Sequence, residues 1–573
     1  MDDASNQSPQ GDAAATTASA PDSASAAADA HHVNGMLAAA VRVVSGLTLF
    51  SRVAGLLRDI VMVRMLADGG LASAFRAGYT LPNLFRRLFG EGALSAAFLP
   101  EYAQLRRDNP ETAHELATIT LKLLTLATGA LTLLIEAVLV IVWIMVPDDP
   151  AHEWRSSSFK MMIIMLPMMP MVCITAILGG VLQAHGKFGP PAAAPIILNL
   201  FQIAASMAYF LGWMTDKLLA AYFVAAAAVL ASVVQIVWSL WALHGCVVWS
   251  RAGEEAIRHG RRVFKRFVPA VLGLGTLQLN TMMDQFIAMW PVWFGGTFLG
   301  YTVTLDEKSN GILSYTQQLY QFPLGVFGLA VATAVFPLLS RASDNAAEFV
   351  SVLRRGLRLS FFIGLPASVG LILVRHDLIY VVYSGGKSGY TADGVERAAA
   401  VLTGFSPGVW AYSLNHVLTR AFYAKHNTRT PMRIAMVMVL LNLTLNLTLI
   451  WYVREAGLAW ATACSALAQT IALVALSPKR LGVRPFDAPT LWAFVRMTGC
   501  AALMAGSVWA CAHFWPLPAT SWRGHAIKLF VSVVVGAVSY VGAALLLRSP
   551  EVRWLMQRAP KGAGGAAADM SFD

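Results

Sequence analysis

Charge is scarce in this chain. Only 13% of its 573 residues are Asp, Glu, Lys or Arg, while 57% are hydrophobic and the mean hydropathy is +0.58. That leaves too little polar surface to clothe a soluble globule of this size. The predicted fold class is an all-α polytopic membrane protein. Cysteine is sparse as well: Cys173, Cys246, Cys464, Cys500 and Cys511 are scattered, mostly in apolar runs, with no CxxC or Cys/His cluster. Neither a disulfide framework nor a zinc site is indicated. Also missing are a Ser-His-Asp arrangement and a Gly-Lys-Ser/Thr phosphate loop, so neither covalent catalysis nor ATP hydrolysis is supported, and an enzyme is not expected. The formal charge of +11 would point to nucleic acid in a soluble protein. Here the basic residues cluster in short loops between apolar runs, where the positive-inside rule accounts for them, and no nucleic-acid partner is expected.

Residues 1–33 form an Ala/Ser/Asp/Thr tract with almost no large apolar side chain, which cannot offset the entropy of ordering and is read as a disordered cytoplasmic tail. It lacks the basic start and short apolar core of a cleavable signal, so the first span, 36–66, is expected to serve as the targeting element. About fourteen segments reach the length of about 20 mainly apolar residues that a membrane-spanning helix needs. They run from 36–66 and 75–101 to 526–548. Loops that alternate along the chain, starting after the second span, carry about 20 Lys/Arg against about 12 on the other side, which places them and both termini in the cytoplasm.

What stands out against this background is charge inside the spans. Arg52, Arg58, Asp59, Arg86, Arg87 and Glu91 lie within SGLTLFSRVAGLLRDIVMVRML and YTLPNLFRRLFGEGALSAAFLP. A centrally placed Arg costs roughly 2.5–3.5 kcal/mol on insertion scales, so such residues line a water-filled cavity or meet a counter-charge. The chain reads as built to hold an anion within the membrane. Arg52 and Arg58 are six positions apart, which on a regular helix separates them by about 120°; a bend at Gly55 would converge them. Arg58 and Asp59, as helix neighbours, face different ways and are not expected to cancel. Arg86 or Arg87 has Glu91 as an alternative partner.

A weak duplication is visible. Tyr79-Thr80 running to Ala97-Phe98-Leu99-Pro100 is echoed by Tyr315-Thr316 running to Ala334-Val335-Phe336-Pro337, an offset of 236 to 237 residues. The expected organisation is the tail, an N-terminal six-helix bundle at 34–248, a basic cytoplasmic linker at 249–266, a C-terminal six-helix bundle at 267–476, an extra helix pair at 477–548 and a tail at 549–573. A site would then lie between the bundles. A second constellation is polar: Asn442 and Asn446 share a helix face, Thr462 lies in the following span, and Asp284 is the acid of the seventh. Carboxylate, amide and hydroxyl oxygens are hard ligands appropriate to a small cation such as sodium. The alternatives are a proton carrier at Asp284 and plain interhelical hydrogen bonding.

The runs SGLTLFSRVAGLLRD, LPNLFRRLFGEGALSAAFLPEY, QFPLGVFGLAVATAVFPLLSR and RAFYAKHNTRTPMRIA resemble the lipid II flippase family, called MurJ or MviN, of the multidrug, oligosaccharide-lipid and polysaccharide exporter superfamily. The similarity extends over roughly residues 36–550. It implies two six-helix bundles in a V shape plus two C-terminal helices forming a lipid-tail groove, in a bacterial inner membrane. The implied activity is moving undecaprenyl-pyrophosphate-linked disaccharide-pentapeptide from the cytoplasmic to the periplasmic leaflet by alternating access, among membrane lipids and beside the cell-wall synthesis machinery. By resemblance the substrate-binding residues are Arg52, Arg58 and Arg86, with Arg87 adjacent, and Leu458 adds a carbonyl to a sodium site formed with Asp284, Asn442, Asn446 and Thr462. No other cofactor is implied.

Two positions depart from the family pattern. Many members carry another cavity arginine in the eighth span, where this chain reads Gln317, Gln318 and Gln321, and a carboxylate after the first span, where this chain has Ser73. Gln318 is the expected substitute contact, a neutral donor weaker than a guanidinium. The rival readings are a drug exporter or an oligosaccharide-lipid flippase of the same superfamily, and, from another class, a lipid-processing membrane enzyme or a scaffold. Multiple arginines disfavour a cationic drug, and no acid/base or metal-ligand pair accompanies them for an enzyme.

Overall fold

In hydrocarbon an apolar run has no partners for its backbone except its own helix, and the long runs of this chain fold accordingly. The structure is a computed structural model, and it describes residues 46–90, 93–146, 153–251, 253–298, 300–385, 389–514 and 521–556. In chain order the helices are α1 (46–66), α2 (Gly70–Phe85), α3 (Ala93–Asp108), α4 (Pro110–Met145), α5 (Glu153–Met165), α6 (Met168–Ala184), α7 (Gly189–Phe210) and α8 (Lys217–Leu243). There follow α9 (Glu254–Phe294), α10 (Ser309–Pro323), α11 (Leu329–Arg341), α12 (Ala346–Tyr383), α13 (Ala392–Phe405), α14 (Gly408–Ala424), α15 (Arg429–Val453) and α16 (Ala456–Leu481). The last are α17 (Ala488–Phe514), α18 (Trp522–Leu546) and the short α19 (Pro550–Met556). Strand is confined, among the described residues, to the hairpin Thr297–Phe298 and Tyr301–Thr302. The protein is thus all-α, and ten helical segments of the described chain are long and apolar enough to cross a membrane. The other four expected spans fall on α1, the α2–α3 pair, α9 and the α13–α14 pair, where charges or breaks interrupt the apolar run.

The breaks recur in order. Pro82 in α2 precedes a π-helical turn at Arg86–Gly90, and Pro323 at the end of α10 precedes another at Leu324–Gly328. Proline removes a backbone donor and crowds the preceding turn, and a wider π turn absorbs the mismatch. The α5–α6 break falls at Leu166-Pro167 and the α13–α14 break at Ser406-Pro407. The succession from α2 to α8 is therefore repeated from α10 to α16, and the two successions are referred to below as the first and second halves, with α1 heading the first and α9 the second.

Among the described residues, cross-half hydrogen bonds other than those of α9 gather at one end. Gly311 N donates to Ser73 Oγ at 2.9 Å and Asn310 Nδ2 to Ser73 O at 3.2 Å. Thr391 Oγ1 donates to Asp68 Oδ2 at 2.6 Å, and Arg64 Nη2 to Val381 O at 3.1 Å near the end of α12. Gly311 allows the close approach of α10 to α2, since a Cβ there would lie 3.1 Å from Ala72 Cβ and 3.2 Å from Ser73 N. Behind this seam Arg397 joins Asp306 and Glu455 through bonds of 2.7–3.1 Å, and Arg454 adds one to Asp306 at 2.7 Å.

Two expected boundaries are corrected. The basic linker at 249–266 is, from Glu254 onward, the start of the 41-residue α9. Glu254 and Glu255 suit its positive end, and Ala256 and Val263 bury one face while Arg258, Arg261, Arg262 and Lys265 stay exposed. His259 Nδ1 pairs with Glu101 Oε1 at 2.7 Å, fixing α9 to the first half. The segment from 549 does not begin as a tail. Glu551 of α19 is fully buried between Arg358 of α12 and Arg496 of α17, with Nε and Nη2 contacts of 2.6 and 3.0 Å, and Trp554 lies under the guanidiniums of Arg355 and Arg358.

Candidate functional site

The charged residues of α1 and α2 meet in one cavity of about 390 Å³, bounded by Arg52, Arg58, Arg86, Arg87 and, from the second half, Gln318. A side chamber of about 190 Å³ shares Arg52, Gly55, Arg58 and Gln318 and adds Gln321 and Phe322. All five predicted substrate residues are thus brought together. Gln317 is buried away from both spaces.

Each arginine is held differently. α1 remains helical through Gly55, and without a break in it Arg52 and Arg58 both line the cavity and its side chamber. Arg52 reaches across to the second half, where a Cβ on Gly325 would overlap its guanidinium. Arg58 donates to Asn199 Oδ1 at 3.0 Å and lies 5.9 Å from the centre of the Tyr79 ring. It also donates to Asp59 Oδ1 through Nη2 at 2.9 Å and Nε at 3.2 Å. This corrects the expectation that the neighbours would stay apart: their Cβ atoms diverge, but the arginine stem is long enough to fold its fork back onto the shorter carboxylate. Asp59, 3% exposed, is thereby compensated. Arg86 donates to Asn83 Oδ1 at 2.9 and 3.2 Å, and Arg87 to Gln278 Oε1 of α9 at 3.2 Å. Glu91, the alternative partner, lies outside the described residues.

Two functional candidates escaped the sequence reading. Arg76 lines the main cavity, although it is only 8% exposed. Its signal was spacing: Arg76, Tyr79, Asn83 and Arg86 recur at three- and four-residue steps and share one helix face. Asp68 supplies a carboxylate to the cross-half seam five residues before Ser73, and Lys308 Nζ stands 3.5 Å from it. Its partners are 240 to 323 residues distant in the chain, so no local pattern marked it.

The polar constellation also assembles. Asn446 Nδ2 donates to Asp284 Oδ1 at 2.6 Å and Asn442 Oδ1 at 3.1 Å, while Thr462 Oγ1 donates to Asp284 Oδ2 at 3.1 Å and accepts from Asn442 Nδ2 at 3.4 Å. Leu458, fully buried, occupies the same face of α16 one turn before Thr462. Among the described residues the buried Asn446 Oδ1 has no hydrogen-bond partner, so the cluster retains an unused oxygen beside one carboxylate. Carboxylate, amide and hydroxyl oxygens are hard donors, the chemistry that a small, weakly charged cation takes rather than a soft metal.

Outside the membrane spans, Asp306 titrates abnormally. Burial alone pushes its carboxyl up, but the hydrogen bonds and charge of Arg397, together with the charge of Arg454, overcome that and hold it below the usual aspartate range.

Comparison with known proteins agrees on one family. Over 540 residues the chain is 28% identical to a probable lipid II flippase MurJ of Vibrio cholerae, covering 88% of this chain and 95% of that protein. It is 26% identical to the lipid II flippase MurJ of Burkholderia cenocepacia, covering 88% and 97%. Among solved structures, a lipid II flippase MurJ in an inward closed conformation superposes with a TM-score of 0.72 at 21% identity, over 90% of this chain and 99% of that one. An inward-facing MATE multidrug transporter of the MOP superfamily does so at 0.61 and 12%, over 77% and 98%. Both likenesses concern the fold. The family description "Lipid II flippase MurJ" matches residues 62–522, which spans most of the arginine cavity, the seam and the whole oxygen cluster, and the chain therefore belongs to the lipid II flippase MurJ family, a family of transporters rather than enzymes.

Proposed function

We propose that this protein moves lipid II, an undecaprenyl-pyrophosphate-linked disaccharide-pentapeptide, from the cytoplasmic to the periplasmic leaflet of a bacterial inner membrane. The observation that carries the reading is the gathering of Arg52, Arg58, Arg86 and Arg87 around one cavity, with Gln318 opposite. A diphosphate offers a dense set of acceptor oxygens, and planar guanidinium forks bind them through paired charge-assisted hydrogen bonds. Such a cavity repels the cationic substrates of a drug exporter.

Transport follows from which end is closed. The excess of Lys/Arg puts the Arg106-Arg107 end in the cytoplasm, so the seam of Asp68, Ser73, Asn310, Gly311 and Thr391 faces the periplasm. With that end shut, the head group enters from the cytoplasmic side. Its diphosphate engages the arginines, the halves rock about the cavity to part the seam, and the polar head leaves on the far side without crossing hydrocarbon. Gln318 and Gln321 offer neutral hydrogen bonds to the sugars. We further propose that Asp284, Asn442, Asn446 and Thr462, with the carbonyl of Leu458, hold a sodium ion, whose contribution when bound is to balance the buried carboxylate. One net charge crossing 100 mV is worth about 2.3 kcal/mol, enough to bias a cycle between states of similar energy.

The test is to deplete the protein and follow labelled lipid II to the outer leaflet, with wild type, Arg52→Ala and Arg58→Ala as complements. Loss of translocation in both variants, with the proteins present in the membrane, is expected. Unchanged translocation in both overturns the role given to these arginines.

A further inference from the structure

Arg76 belongs at once to the cavity and to the seam. It is on the cavity wall, yet its Nη2 donates across to Ser314 O at 3.4 Å and its guanidinium lies 4.9 Å from the centre of the Tyr315 ring, both on α10. It has no ion pair among the described residues, unlike Arg58 with Asp59. A nearly buried cation held only by a long neutral hydrogen bond and a ring face is under-compensated.

The internal repeat explains the geometry. Tyr79 and Tyr315 are repeat counterparts, and each stands beneath an arginine of the first half: Arg58 on Tyr79 and Arg76 on Tyr315. Tyr79 follows Arg76 by three residues on α2, so the ring that carries Arg58 and the stem of Arg76 lie on one face of that helix, and both arginines line the cavity. Tyr315 is itself fixed within the second half, its carbonyl on α10 accepting from Tyr383 Oη of α12 at 2.9 Å. One turn N-terminal, Gly311 and Asn310 make the bonds to Ser73 that join α2 to α10.

We propose that Arg76 is the occupancy sensor of the transporter: with the cavity empty it clamps α2 to α10, and with a diphosphate bound it transfers to the anion and releases the seam. The inference rests on the diphosphate reading of the cavity. Its physical basis is exchange of partners. Paired charge-assisted bonds to phosphate oxygens are shorter and stronger than one 3.4 Å bond to a neutral carbonyl, so the bound anion draws Arg76 off α10. A ligand shifts a two-state equilibrium only by its differential affinity for the two states. Here the difference is one guanidinium that contacts the ligand only when the seam is loosened.

The test uses the full-length protein in lipid nanodiscs with undecaprenyl pyrophosphate as the probe, reading probe affinity and amide hydrogen exchange over Gly70–Gly78 and Ser309–Thr316. In the wild type, saturating probe should speed exchange in both segments several-fold. Arg76→Gln should bind the probe about 3- to 10-fold more weakly and, at saturation, show no further change on loading, its seam already loosened. Arg76→Lys, which keeps the charge but not the planar fork, should recover part of the probe response. The proposal is overturned if the wild type binds the probe with no change in exchange, or if saturated Arg76→Gln responds as the wild type does. Arg52→Ala/Arg58→Ala separates the two levels: undiminished probe binding there refutes the diphosphate reading itself, whereas lost binding there with an unaltered response in Arg76→Gln refutes only the sensor.

Discussion

Replacing Arg58 by alanine should do two separable things, because the residue serves both the cavity and its own helix neighbour. Arg58 is the counter-ion of Asp59, which is 3% exposed, through bonds of 2.9 and 3.2 Å. Removing one member of such a buried pair costs about 3–5 kcal/mol, because the remaining charge is stranded. Asn199 Oδ1 loses a donor as well, for about 1 kcal/mol more. Arg58→Ala is therefore expected to lower the unfolding midpoint in detergent by several degrees. Arg58→Ala/Asp59→Asn removes the stranded charge and should regain most of that stability. Translocation should stay lost in both, since neither supplies a guanidinium to the diphosphate, a contact worth about 1.5–3 kcal/mol or roughly 10- to 150-fold in affinity. Thermal unfolding and lipid II translocation measured on wild type, both single variants and the double variant complete the cycle. Recovery of wild-type translocation by the double variant would refute the argument, reducing Arg58 to a structural counter-charge. An unchanged midpoint in Arg58→Ala would refute the pairing.

Gly325→Ala places a methyl where the Arg52 guanidinium rests; the flexible side chain gives way, so translocation should fall severalfold while the unfolding midpoint moves little. Glu551→Ala strands Arg358 and Arg496 around an emptied centre, and the loss should be about 3–5 kcal/mol, visible as a lower midpoint together with early proteolysis near α19. The depressed Asp306 carboxyl contributes stability that is fully present above its unfolded value, about pH 4, and is lost as pH falls through its lower folded value. Asp306→Asn should therefore flatten the acid limb of a midpoint-against-pH profile, and an unchanged limb would show that the carboxylate is not linked to folding.

The membrane helices were legible because long apolar runs have few other fates, and the cavity arginines because charge inside such a run demands a reason. Gln318 was legible only as a departure from a family pattern. What escaped was whatever depended on side-chain reach or distant pairing. Arg58 and Asp59 point apart at Cβ, yet meet through a long flexible stem. Asp68 sits in a three-residue turn and finds Thr391 at 2.6 Å only once the halves are packed. The start of α9 and the short α19 were read as linker and tail because their charge suits a loop, whereas the contacts that order them, His259 with Glu101 and Glu551 with Arg358 and Arg496, span 55 to 193 residues.

The duplicated scaffold gains its direction from the way its two halves have diverged in chemistry. Equivalent breaks and turns recur in both, but the guanidiniums of the cavity wall all come from α1, α2 and the π turn after α2, while the oxygen cluster belongs to α9, α15 and α16. Had both halves kept arginines, an anion midway between them would be gripped equally from either side and would resist release whichever end opened. On the function proposed above, with strong donors on one side and the neutral Gln318 and Gln321 on the other, parting the halves would cost a bound diphosphate only its weak contacts, so the seam could open while the anion stayed with the first half. On the sodium reading proposed above, the oxygen cluster would give the second half a charge-sensitive element of its own, out of direct competition with the anion. On that reading the asymmetry, imposed on a symmetric frame, leaves the anion with the first half while Arg76, which touches both the cavity and α10, links its presence to the seam.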